Sequence, residues 1–169
     1  TSQAVVVYDY DEKKDDWKTE QIIFDRTTVG GMIEAPMIDS VFSINPDSKE
    51  EEISNLEYLK NYPESYITEV KRCMGKTKEQ IKTILKSENR TSLKIDTIEY
   101  TPEEVSSKIL AQIKKFSEEQ IDKKINNAVI TVPANFDSNQ RNATKKSGEM
   151  AGFKKVDILA EPTAAALAY

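Results

Sequence analysis

The spacing of apolar residues changes period along the chain, and each change predicts a change of element. The opening stretch Gln3–Tyr10, "QAVVVYDY", is rich in β-branched residues and predicts a strand, with Glu20–Asp25 returning as its hairpin partner. The pair Gly30-Gly31 breaks the chain, and "APMIDSVFSI" predicts a further strand ending at Asn45-Pro46. From Ser48 to about Lys86 the period moves from two towards 3.6. Ile53, Leu56, Leu59 and Lys60 outline one amphipathic helix, opened by the solvated run Lys49–Glu52 and stopped near Pro63. Ile67, Val70, Cys73 and Met74 outline a second, closed by Gly75, and Ile81, Ile84 and Leu85 a third. Ser92–Tyr100 alternates apolar and polar residues and reads as one strand.

The next boundary is the clearest. Thr101 precedes Pro102 and has Glu104 three residues on, a capping box with proline at the first helical position. Val105, Ile109, Ile113 and Phe116 then place a stripe on one face, predicting a helix to about Gln120. Asn127–Pro133 is a short, nearly all-apolar strand, the pattern of a strand covered on both faces. Asp137, with Gln140 behind it, caps a helix closed by Gly152; Lys155–Ala160 is a strand, and Glu161 opens a last helix. Strand, helix, strand and helix with short loops predict a parallel βαβ unit. Ligands in such sheets gather beyond the carboxyl ends of the strands, where Pro133 and Glu161 fall.

Composition narrows the chemistry. The 169 residues, 38% apolar and 31% charged, suffice for one domain with a real core. A net charge of −5, with no basic cluster interleaved with aromatics, argues against a nucleic-acid surface. No apolar run is long enough to span a bilayer, so no membrane role is expected. The single cysteine, Cys73, suits a reducing compartment, and a cytoplasmic location is expected. With no histidine and one thiol, the usual zinc sites and the Ser-His and Cys-His constellations are excluded.

Two candidates remain, each with two readings. Glu161 is either a favourable helix start or a carboxylate at the ligand edge that helps hold a hydrated Mg²⁺. Lys71 and Arg72 are either cations complementing a helix C-terminus or phosphate contacts. No Walker-type "GxxxxGK" and no "GxGxxG" is present. The residues alone therefore reach an α/β domain with a candidate anion or metal site and no further.

The stretch "NAVITVPANFDSNQRNATKKSGEMAGFKKVDILAEPTAAALAY" (Asn127–Tyr169) closely resembles the ATPase domain of the heat shock protein 70 chaperone family. Tyr100–Leu110, "YTPEEVSSKIL", and Val70–Lys76, "VKRCMGK", are also similar to that family, and "TSQAVVVYD" looks like its second strand. The resemblance implies an actin-like ATPase (ribonuclease H-like) fold closing on Mg·ATP. This chain would supply part of the first lobe: a sheet subdomain from residues 1–31 and 102–169, with an inserted α+β subdomain at 32–101. It further implies that Lys71 reaches the terminal phosphate and orients the attacking water, with Arg72 beside the nucleotide. Glu161 would act near the metal through its waters, Pro133 as a switch proline, and Arg141 as a relay to a peptide-binding domain. Read alone, Arg141 is a solvated helix residue.

Unfolded client peptides, J-domain co-chaperones and nucleotide exchange factors follow as implied partners. Three departures bear on them: Asn135 where the family has Tyr, Asp137-Ser138 where it has Asn-Asp, and Asp157 where it commonly has a basic residue. A reversed charge at Asp157 weakens attraction to an acidic J-domain surface. The family's first phosphate turn would precede Thr1 and its second would follow Tyr169, so a fragment without ATP hydrolysis of its own is expected. The implied parent is an ATP-driven chaperone; the alternative is a divergent, non-cycling relative, a regulatory module that binds ATP or ADP or a chaperone partner without needing turnover.

Overall fold

Small antiparallel pairs make up the first part of the chain. The computed structural model describes residues 2–11, 13–28, 31–56 and 62–167. The β-rich opening forms β1 (Ser2–Ala4) and β2 (Val6–Asp11), interrupted at Val5. β2 turns back on β3 (Asp16–Gln21), with Val6 opposite Gln21 and Asp11 opposite Asp16. The hairpin is as expected, but its second strand begins earlier than Glu20. Phe24 and Asp25 instead start β4 (Phe24–Thr28), which pairs with β5 (Gly31–Ala35). Gly30 lies outside the described residues. The strand expected before Asn45 is divided into β6 (Met37–Asp39), antiparallel to β1, and β7 (Phe42–Ile44).

The helix expected between Ser48 and Pro63 is corrected. Glu51–Ile53 is strand β8, antiparallel to β7. Turn chemistry outweighs helical spacing here. Asn45 Oδ1 accepts the backbone N–H groups of Asp47 and Ser48, each at 3.0 Å, and Lys49 at φ 61 returns its N–H to the Asn45 carbonyl. Leu59 and Lys60 lie outside the described residues. Ile67 belongs to β9 (Tyr66–Ile67), which takes the other edge of β7, so it is not helical. The second helix is thereby reduced to α1 (Val70–Cys73), with Glu69 before it in the left-handed region and Gly75 after it at φ 65.

The third helix, α2 (Lys78–Leu85), forms behind a Thr77–Gln80 capping box. Ser92–Tyr100 is a hairpin and not one strand: β10 (Lys94–Ile95) meets β11 (Ile98–Glu99) around Asp96, whose φ of 52 suits a short-side-chain turn residue. The capping box at Thr101 forms as expected. Its hydroxyl accepts the Glu104 N–H at 3.2 Å, and the Glu104 carboxylate accepts the Thr101 N–H at 2.7 Å. The helix it opens, α3 (Pro102–Ile121), buries Val105, Ile109 and Ile113 against Phe24, Phe42, Ile67 and Val70. Phe116 sits at the rim and meets the Phe24 ring edge-on at 6.5 Å.

The βαβ unit is present as expected. β12 (Asn127–Val132) and β13 (Lys155–Ala160) run parallel, Asn127 opposite Lys155 and Val132 opposite Ala160. Between them lies α4 (Ser138–Met150), started by the Asp137–Gln140 capping box; α5 (Glu161–Leu167) follows β13 directly. Gly148 lets α4 close on the sheet, since a Cβ there would stand 2.9 Å from Val156 and 3.0 Å from Ile130. Among the described residues β12 pairs with β13 alone, and Val129 is 63% exposed. The double coverage expected of this apolar strand is therefore incomplete: α4 packs on one face, while a cavity separates the strand from Val5, Val6, Ile109 and Ile113.

Glu118 ties the end of α3 to the lead into β12. Its carboxylate accepts from Lys114 Nζ at 2.5 Å, the Ile125 backbone N–H at 2.8 Å and Lys124 Nζ at 3.1 Å. The Lys114 hydrogen bond first, and the Ile125 N–H next, lower its pKa from 4.5 to about 2. A depressed folded-state pKa means stability present above the unfolded value and lost as pH falls through the folded one. Glu118→Gln should destabilise the chain by about 2 kcal/mol near neutral pH. In urea unfolding, the difference from wild type should shrink as pH falls from 4.5 towards 2.

Candidate functional site

A four-residue helix has too few internal bonds to persist alone, so the position of Lys71 is set by what α1 packs on. Val70 and Cys73 are both buried in the core, which turns Lys71 and Arg72 outward. Burial pushes the Cys73 thiol up to about 11, so it stays protonated and packs as a small apolar group. Lys71 Nζ donates to Glu161 Oε1 at 2.6 Å, joining residues 90 positions apart. Glu161 is the first residue of α5, immediately beyond β13, so its carboxylate stands at the carboxyl edge of the parallel pair. The two side chains are 34% and 46% exposed. A pair so solvated contributes only ~0.2–1 kcal/mol, so its significance is positional.

Beside the pair lies a cavity of about 440 Å³. Val5, Val6, Met74, Ile109, Ile113 and Ala128–Val132 line it, and its only charged walls among the described residues are Lys71 and Glu161. Arg72 does not join them. Its guanidinium pairs with Glu69 at 3.4 Å, and it does not line the cavity.

Pro133 and Arg141 form a second group. The Pro133 carbonyl accepts the Phe136 N–H at 3.1 Å. Arg141 Nε donates to the Phe136 carbonyl at 3.0 Å and Nη2 to the Ala134 carbonyl at 3.3 Å. Arg141 is therefore no freely solvated residue but a staple between α4 and the loop after β12. Asp157 is exposed and pairs with Lys155 at 3.3 Å. Sequence reasoning missed Phe136, which lines the cavity, and gave Gly75 only a helix-stopping role. An apolar residue inside the polar "ANFDSN" loop was the available signal for Phe136.

Among the described residues no cluster of three His, Cys, Asp or Glu side chains could hold a metal directly, and no helix is long and apolar enough to cross a membrane. Mg²⁺ commonly keeps several waters and takes only one or two carboxylates, which the single carboxylate of Glu161 fits. The ammonium of Lys71 fits an anionic oxygen.

A family model described as Hsp70 protein matches residues 50–169, and the chain belongs to the Hsp70 family. Similar relatives are the chaperone protein DnaK of Ureaplasma parvum serovar 3 (strain ATCC 700970), 50% identical over 103 residues, and that of Methanothermobacter thermautotrophicus, 46% identical over 107. The matches cover 61% and 63% of this chain but 15% and 16% of those proteins. The DnaK of Mesomycoplasma hyopneumoniae (strain 232) is 43% identical over 111 residues, 66% of this chain and 16% of that protein. Membership implies the actin-like ATPase fold, and the mixed helices and strands agree with it.

Arg141→Ala should free both loop carbonyls and destabilise the chain by about 1–2 kcal/mol. Urea unfolding measures the loss, and amide exchange over residues 134–137 should accelerate while exchange in α3 changes less.

Proposed function

We propose that this chain is part of the nucleotide-binding domain of an ATP-driven chaperone, and that Lys71 and Glu161 form one wall of its Mg·ATP site. The observation that carries this reading is the 2.6 Å pairing of Lys71 with Glu161 at the carboxyl edge of the parallel pair, in a chain of the Hsp70 family. Phosphoryl transfer asks a protein mainly for positioning and charge stabilisation. Lys71 supplies a cation and hydrogen-bond donors to the terminal phosphate and orients the attacking water. Glu161 would hold a hydrated magnesium ion through its waters, and its acceptance of the Lys71 hydrogen bond fixes the lysine's direction. Bound Mg²⁺ supplies charge neutralisation on the phosphates. Arg72, paired with Glu69 outside the cavity, would reach the nucleotide only by leaving that partner.

The 440 Å³ cavity, and the side of β12 that no strand pairs with among the described residues, support a fragment reading, because a further strand of the first lobe would fill the one and pair with the other. On this reading residues 1–31 and 102–169 belong to the sheet subdomain and 32–101 to the inserted one. Pro133 and Arg141 relay nucleotide state to a peptide-binding domain that takes unfolded client peptides in the cytoplasm. Exchange factors act on the same domain. J-domain docking is weakened where Asp157 presents a carboxylate.

In the full-length protein, Lys71→Ala should lower kcat for ATP on the order of 10²–10³-fold, as loss of one preorganised charge donor does, with Mg·ATP affinity changed far less. Unchanged turnover would overturn the assignment. The purified 169-residue chain should show no ATP hydrolysis, and measurable turnover by it would refute the fragment reading.

A further inference from the structure

Gly75 stands where the end of α1 meets the start of α4. A Cβ built on it would lie 2.8 Å from the Gln140 backbone nitrogen, 2.9 Å from the Asn139 carbonyl carbon and 2.9 Å from the Gln140 α-carbon. All three are backbone atoms, which cannot swing aside as a side-chain tip would. They are also held, because the Asp137–Gln140 capping box fixes that first turn through bonds of 2.9 and 3.1 Å. Gly75 further adopts φ 65, a conformation that costs most other residues.

We infer that Gly75 is a positioning residue for Lys71: its bare α-carbon seats α1 against the first turn of α4 and so fixes the direction of the lysine. The inference rests on the catalytic role proposed for Lys71. Val70 and Cys73, buried in the core, and Gly75, seated on α4, hold the helix from two sides. Any Cβ at 75 pushes the end of α1 away from α4 and pivots it on its buried face. Lys71 Nζ then leaves Glu161 Oε1, and a displacement of about 1 Å can cost on the order of 10²-fold in rate. The same seat joins α1 to the turn that Arg141 staples to the loop after Pro133.

The test uses the full-length protein, with Gly75→Ala and Gly75→Asn compared by steady-state ATP hydrolysis, Mg·ATP affinity and thermal unfolding. Asn tolerates the left-handed conformation but carries the same Cβ. Both variants should lose about tenfold or more in kcat while affinity stays within about threefold of wild type. Recovery of wild-type kcat by Asn alone would reduce Gly75 to a backbone requirement and overturn the seat. Wild-type kcat in both folded variants would overturn it too. Where neither variant folds, Gln140→Ala loosens the capped turn without adding an atom. It should lower kcat about threefold or more at retained affinity, and an unchanged kcat would overturn the inference. Lys71→Ala run in parallel separates the two failures: full turnover there defeats the catalytic role itself, whereas lost turnover with unaffected Gly75 variants defeats only the positioning role.

Discussion

Burial of Val70 and Cys73 is the constraint on which the site depends. Isolated helices shorter than about 12–15 residues are marginal in water, and α1 has four. It exists because its inner face is part of the core formed by β4, β6, β7, β9 and α3, and because left-handed residues at Glu69 and Gly75 let the chain enter and leave sharply. Lys71 and Arg72 share the outer face yet end in different places. Lys71 meets Glu161 across the cavity mouth, and Arg72 falls back on Glu69 within its own turn.

Glu161 owes its place to a different piece of architecture. The parallel register of β12 and β13 brings Val132 beside Ala160, so the loop after the first strand and the helix after the second open on the same edge. Gly148 permits α4 to lie close over both strands, and Ser147 and Thr144 spend their buried hydroxyls on carbonyls one turn back, at 2.9 and 2.8 Å. A packed helix without strain or unpaired polar atoms at these positions holds the strand ends steady. The ion pair thus joins the core-anchored α1 to the carboxyl edge of the parallel pair, and this gives a weak surface bridge positional meaning.

Features set by neighbours in the sequence were readable in advance. The capping boxes at Thr101 and Asp137, the stripe of α3, the parallel unit and the stop at Gly152 are all local chemistry or simple periodicity. The failures share a cause as well. Glu51–Ile53 looked helical because the side chain of Asn45, several residues earlier, was not credited with building the turn that pairs β8 with β7. Ile67 followed helical spacing into Val70, yet the open edge of β7 claimed it. The hairpin at Asp96 hid inside an alternating run that a single strand satisfies equally well. At the site, sequence and resemblance named Lys71 and Glu161 but could not supply their contact, and Gly75 touches backbone far along the chain that no local pattern displays.

The central claim is that Lys71 and Glu161 face the phosphates and the metal waters of one bound nucleotide. A crystal structure of the full-length protein grown with Mg·ADP and inorganic phosphate tests it most directly. The account predicts Lys71 Nζ within hydrogen-bond distance of a phosphate oxygen and the Glu161 carboxylate on a water of the magnesium ion. A nucleotide bound elsewhere, with the Lys71–Glu161 pair left facing solvent, would contradict it.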